Sequence, residues 1–180
     1  MRSEGMRSAA HGIFVVAAGF LMEAATVVAP MFFSVPRFVS SSLVGTAFVA
    51  FALGPVHGGL FALGTNVLLH YATGGGGPVG YVLAVRAIEA FVIGWIGRWR
   101  WGWGIPVAAS LTDFAAVPPV TFVLAYFWGN FGTDLGFVEW FGREYAVFFR
   151  SGSLHVLQKY LFSCLLSYIL ALLVRRGKSA

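Results

Sequence analysis

Between Ala9 and Ala29 the chain carries one charged side chain, Glu23. A helix needs about 20 apolar residues to cross the hydrocarbon core of a bilayer. Segments that meet or approach this length recur along the sequence: Ala9 to Ala29, Ser41 to Leu53, Val56 to Ala72, Val79 to Gly97, Ile105 to Trp128 and Leu154 to Val174. The composition agrees, with 58% hydrophobic and 11% charged residues, where an average soluble domain has roughly a quarter charged. The chain has too little polar surface to face water on every side. The expected fold is all-α: a single polytopic membrane domain over residues 1–180 with six transmembrane helices. Arg2 and Arg7 ahead of the first apolar stretch resemble the start of a signal peptide, but that stretch passes Glu23 with no clear small-residue cleavage site. It is read as a retained first helix.

Charge between the segments sets the orientation. With a cytoplasmic N-terminus, Arg2, Arg7, Arg98, Arg100, Arg175, Arg176 and Lys178 all fall inside, and Arg37, Arg143 and Arg150 fall outside. Both termini are therefore expected in the cytoplasm. The net charge of +5 consists mostly of these topology signals rather than a basic face, so nucleic acid is not an expected partner. The second segment is short, and Gly54-Pro55 permits only a tight turn before the third. Outside lie Pro30 to Ser40, the tetraglycine loop Thr73 to Pro78, and the long segment Gly129 to Ser153. In the last of these, Phe137, Trp140, Phe141 and Tyr145 recur at roughly helical intervals among charges, as in an amphipathic helix lying on the outer surface. Long connections commonly carry function, so a site is sought on the outer face.

Arg86 and Glu89 are the most expensive residues in the sequence. They lie about 10 and 15 Å down the fourth segment and, three apart, share a face. Each costs at least ~2.5 to 3.5 kcal/mol in a bilayer unless it is paired or faces a wet cavity. Two compatible readings stay open: an ion pair that fixes helix packing, or a pair in which one partner reaches a polar ligand. Asp113, on the fifth segment, either pairs with Arg86 or supports a backbone loosened by Pro118-Pro119. Other polar groups fall at similar outer depths: Asn66, His70 and Tyr71, then Tyr81, then Tyr126, Trp128 and Asn130, then His155 and Lys159. Together with Arg86 and Glu89 they are the candidate substrate-binding residues. Taken singly, the tyrosines and Trp128 suit an aromatic belt, the histidines suit helix-end hydrogen bonding, and Lys159 suits snorkelling.

No catalytic constellation is present, and no enzyme activity is expected. The tetraglycine run lacks the Gly-Lys-Ser/Thr of a phosphate loop, and neither His-Glu-x-x-His nor Gly-x-Ser-x-Gly occurs. The lone Cys164 cannot form an internal disulfide. Neither a metal nor a cofactor is expected.

The stretch ALGPVHGGLFALGTNVLLHYATGGGGPVGYVLAVRAIEAFVIGWIGR, Ala52 to Arg98, resembles the substrate-binding S component of the energy-coupling factor (ECF) vitamin transporters. In that family a Gly-Pro turn with following glycines joins the second and third helices. A Gly- and Pro-containing outer loop follows, and the fourth helix ends in Gly-x-x-x-Arg, here Gly94 to Arg98. The resemblance implies six membrane helices with both termini cytoplasmic. It also implies capture of a small water-soluble vitamin or precursor at the outer face, and delivery through a transmembrane T component and two cytoplasmic ATPase subunits. Family members often carry Ala-x-x-x-Ala on the first helix where it meets the T component. This chain has that spacing at Ala25 and Ala29, toward the outer end. Nearer the cytoplasm it has Ser8, Gly12, Ala9-Ala10 and Ala17-Ala18, small residues that also permit close helix approach.

On this reading the glycines let the outer loop close over a ligand, the Pro30 to Ser40 loop completes the lid, and Arg86 and Glu89 form the floor. Tyrosine and tryptophan suit a flat ring, and Arg86, Lys159 and the histidines suit a carboxylate or phosphate, which favours a small heteroaromatic ligand. Two other classes fit the hydropathy: a scaffold of the cell-wall machinery like the rod-shape-determining membrane proteins, and a membrane sensor module. The scaffold proteins commonly show an aspartate where this chain has Asn66.

Overall fold

The computed structural model describes residues 2–34, 43–72, 79–99, 102–128 and 135–176. Every regular element among them is a helix: α1 (Arg2–Phe32), α2 (Val44–Leu53), α3 (Pro55–Ala72), α4 (Val79–Ile96), α5 (Gly104–Trp128), α6 (Phe137–Ser151) and α7 (Ser153–Arg176). Each of the six apolar segments is helical, and the aromatic segment forms a seventh helix, α6. Three stretches are long and apolar enough to cross a membrane: Ala9–Pro30, Gly104–Trp128 and Ser153–Arg175. The chain thus has the apolar helices of a membrane protein. The tetraglycine loop, most of the Pro30 to Ser40 connection, Asn130 and the start of the Gly129 to Ser153 segment lie outside the described residues.

Apolar side chains fill the core and also cover much of the surface, unlike in a water-soluble bundle. Large apolar side chains such as Ile13, Leu21, Leu60, Leu68, Phe91 and Leu173 are exposed, whereas Glu23, Thr46, Thr65, Glu89, Ser110, Asp113, Ser163 and Ser167 are buried. An apolar exterior of this extent needs a cover that is itself apolar, and buried polar groups need partners inside the bundle.

The hub is α2. At ten residues it spans about 15 Å, half of a typical hydrocarbon core of about 30 Å. Every residue from Val44 to Phe51 is buried, because α1, α3, α4 and α7 all pack against it. A short, uniformly apolar helix is tolerated where protein encloses it. Ser167 Oγ donates to the Val44 carbonyl at 2.7 Å, and Arg175 donates to the Phe51 carbonyl near the other end. A cation there also complements the helix dipole.

Glycine makes the two closest turns and crossings of the hub possible. Gly54, the single residue between α2 and α3, has φ 97°, a conformation that L side chains rarely adopt, and Pro55 then starts α3 where its missing N–H is not needed. Where α1 crosses α2, a Cβ on Gly45 would lie 2.0 Å from the Gly19 carbonyl oxygen and 2.9 Å from the Glu23 backbone nitrogen. Gly142 on α6, by contrast, has open space around it.

Gly45→Val is therefore expected to destabilise the detergent-solubilised protein by about 1 to 3 kcal/mol or more through forced separation of α1 and α2. Gly142→Ala is expected to stabilise it by about 0.5 to 1 kcal/mol. Unfolding curves of the two variants against the parent check both.

Candidate functional site

A cavity of about 310 Å³ opens between α4, α5 and α7, with Phe148 of α6 at its edge. Helical periodicity brings Tyr81, Val82, Val85, Arg86 and Glu89 of α4 to one face of this space. Thr121 and Phe122 of α5 and Lys159 and Tyr160 of α7 close it.

Glu89 is the organising group. One of its carboxylate oxygens, Oε2, accepts from Arg86 Nη1 at 2.8 Å, and the other, Oε1, accepts from the Tyr160 hydroxyl at 2.8 Å. The Glu89 side chain is 3% exposed and that of Arg86 16%, so the carboxylate lies inside the bundle while the guanidinium reaches the cavity. A charge-assisted hydrogen bond in such surroundings is short and strong, and here it holds a long side chain in one orientation. Lys159 also lines the cavity, and no hydrogen bond or ion pair engages its ammonium among the described residues. The walls thus offer two cations and one carboxylate already committed to Arg86 and Tyr160, above an apolar and aromatic lining. That arrangement can hold a small molecule with a flat apolar body and an anionic group.

Two more carboxyls are fully buried in the bundle. Glu23 of α1 accepts from the Thr46 backbone N–H at 2.9 Å and from its hydroxyl at 3.2 Å. Asp113 of α5 is buried, and neither of its oxygens has a hydrogen-bond partner among the described residues. The expected alternatives for Asp113, pairing with Arg86 or bonding to a loosened backbone, are not realised. Pro118 and Pro119 nonetheless lie inside a continuous α5, where they deprive the carbonyls of Phe114 and Ala115 of their helical donors.

Of the residues singled out in the sequence, Tyr81, Arg86, Glu89 and Lys159 meet at this cavity. The rest have other positions. Asn66 Nδ2 donates to the Ala62 carbonyl of its own helix at 2.8 Å. The rings of His70 and Tyr71 sit edge to face at 5.8 Å, with Tyr71 largely exposed. The Tyr126 hydroxyl donates to the Leu135 carbonyl at 3.2 Å, and the Tyr126 ring packs against Phe137 and Trp140 of α6. Trp128 is exposed at the end of α5, His155 is half-buried on α7 and absent from the cavity wall, and Asn130 is outside the described residues. The described residues among these do not line the cavity.

Tyr160, Thr121, Phe122 and Phe148 are the wall residues that sequence reasoning passed over. Tyr160 left a usable signal, because a phenol in the middle of an apolar helix needs a hydrogen-bond partner and Glu89 is a nearby acceptor. Comparison with protein-family models, with curated proteins and with solved structures found no match, so the site rests on its own geometry.

Glu89→Ala is expected to cost about 3 to 5 kcal/mol of stability, because it strands the Arg86 charge inside the bundle. The double variant Arg86→Met with Glu89→Met is expected to cost less than that single change. Tyr160→Phe is expected to cost about 1.5 to 3 kcal/mol, the range for a hydrogen bond to a charged group. Denaturant unfolding of the three variants in detergent checks the order.

Proposed function

We propose that this chain is the substrate-binding subunit of an ECF-type importer in the cytoplasmic membrane of a prokaryote. It captures a small water-soluble vitamin or precursor at the outer face and passes it to a transmembrane T component driven by two cytoplasmic ATPases. The observation that carries the proposal is the cavity lined together by Arg86, Glu89 and Lys159, in which the Lys159 ammonium has no hydrogen-bond or ion-pair partner among the described residues. An ion pair that served packing alone would need neither the space nor the second cation.

In this account α1 to α5 and α7 are the six spans, with both termini cytoplasmic, and α6 lies at the outer surface over the cavity. The positive charge at the α4–α5 connection and after α7 supports this orientation, and so does the aromatic face that α6 turns toward Phe122 and Tyr126 of α5. A ligand with a heteroaromatic ring and a carboxylate or phosphate matches the walls: Tyr81 and Phe122 for the ring, Arg86 and Lys159 for the anion. For the T component, α1 and α3 enclose an open apolar groove of about 890 Å³ whose walls include Ala9, Gly12 and Ala17, small residues that admit a neighbouring helix closely. No catalytic step is assigned to the chain.

A mild-detergent pull-down of the tagged protein from its native membrane, read by mass spectrometry, is expected to recover one T-type membrane protein and two ATPases. Recovery of cell-wall synthesis proteins without an ATPase would replace this reading with the scaffold. Once a ligand is found, Arg86→Ala and Lys159→Ala are each expected to weaken it at least about tenfold, the scale of one charge-assisted contact.

A further inference from the structure

A second, smaller space of about 240 Å³ lies beside the first and shares Tyr81, Thr121 and Phe122 with it. Its remaining walls are Ala125 of α5 and Trp140 and Glu144 of α6. The electrostatic character reverses across the shared wall. The larger cavity carries Arg86 and Lys159, whereas among the described residues the smaller has no cationic side chain and one carboxylate.

We propose that this smaller cavity is a binding site for an organic ammonium group, of the methylated kind found in choline. Three of its six wall residues are aromatic. Phe122 and Trp140 both line the space and stand edge to face, with ring centroids 6.3 Å apart and planes at 78°, so the two rings present differently oriented surfaces to it. Tyr126 packs against Trp140 at 5.4 Å and fixes its ring. A cation placed over such faces is attracted by the negative charge of the ring quadrupoles, most strongly by tryptophan.

Glu144 follows Trp140 by four residues and so shares its side of α6, supplying the formal countercharge. Its only ion-pair partner among the described residues, Arg143, approaches no closer than 3.6 Å and is 68% exposed, so the carboxylate is not consumed as that of Glu89 is. A metal ion would need several oxygen ligands, and among the described residues the cavity has one carboxylate, the Tyr81 phenol and a Thr121 hydroxyl already donating to the Val117 carbonyl at 2.8 Å. An anion would be repelled by Glu144. A methylated ammonium is weakly hydrated, carries its charge on an apolar surface, and matches both the rings and the carboxylate. This inference does not depend on the importer reading.

The group can belong to a soluble molecule or to a lipid headgroup, and the test separates the two. Protein purified in a maltoside detergent free of choline lipids is dialysed against radiolabelled choline at constant ionic strength, with tetramethylammonium and sodium chlorides as competitors. The expected result is saturable binding with Kd of about 1 mM or tighter, displaced by tetramethylammonium and not by sodium. Glu144→Gln, on a half-exposed position that tolerates the change, and Trp140→Phe are each expected to weaken binding about five- to tenfold.

The titration is repeated in nanodiscs. Loss of choline binding in phosphatidylcholine discs but not in phosphatidylglycerol discs identifies the lipid headgroup as the occupant, and retention in both identifies a soluble one. Either result supports the ammonium site. Absence of saturable choline binding in detergent, displacement by sodium as effective as by tetramethylammonium, or equal binding by the parent and Glu144→Gln would overturn it.

Discussion

The Glu89 carboxylate, with Arg86 on one oxygen and Tyr160 on the other, is the interaction on which the rest of the site depends. It ties α4 to α7 through Tyr160 and holds the guanidinium along its own helix at the edge of a cavity. Two ions removed from water cost several kcal/mol each, and their attraction repays this only when the geometry is good and the remaining lone pairs are satisfied. Both conditions are met at Glu89. A bundle that only had to pack would be served as well by two apolar side chains, so the ionic arrangement points to use rather than to stability.

The position of this interaction follows from the packing beneath it. Because α2 is short and enclosed, α4 and α7 both pack against it, and the crossing at Gly19 and Gly45 brings α1 and its buried Glu23 into the same polar interior. Ser110 Oγ, shared between the carbonyls of Pro106 and Tyr160, binds α5 to α7 below the cavity. The aromatic face of α6 closes the side. The apolar exterior and the buried polar cluster around Glu89 are thus two views of one arrangement, since polar side chains in an apolar surround gather where they find partners inside the bundle.

Much of this was legible in the sequence. All six apolar segments are helices; five have ends within three residues of those expected, the first helix begins seven residues earlier than expected, at Arg2, and the Gly54-Pro55 turn is a turn of one residue. The three-residue spacing of Arg86 and Glu89 did make an ion pair, and the interval between Phe137, Trp140, Phe141 and Tyr145 did mark an amphipathic helix. The candidate site was legible only in part. Depth along a helix follows from counting residues, and depth is what drew Asn66, His70, Tyr71, Tyr126, Trp128 and His155 into the candidate set. Which side of each helix faces α4 is decided by packing, and in helices apolar all round no periodic pattern reveals it. Tyr160 and Phe122 were passed over for the same reason, since aromatic residues in an apolar run look like ordinary packing until a partner from another helix is in place.

Native mass spectrometry of the protein released gently from its own membrane tests the central claim most directly. The account predicts a one-to-one adduct of a small molecule, ejected as an anion on activation, and absent when Arg86→Met and Lys159→Met are combined in a variant that still runs as a folded species. An adduct that persists unchanged in that variant would contradict the claim that this cavity is the site. A parent protein without any adduct, released in the same way from cells grown in rich medium, would contradict high-affinity capture itself.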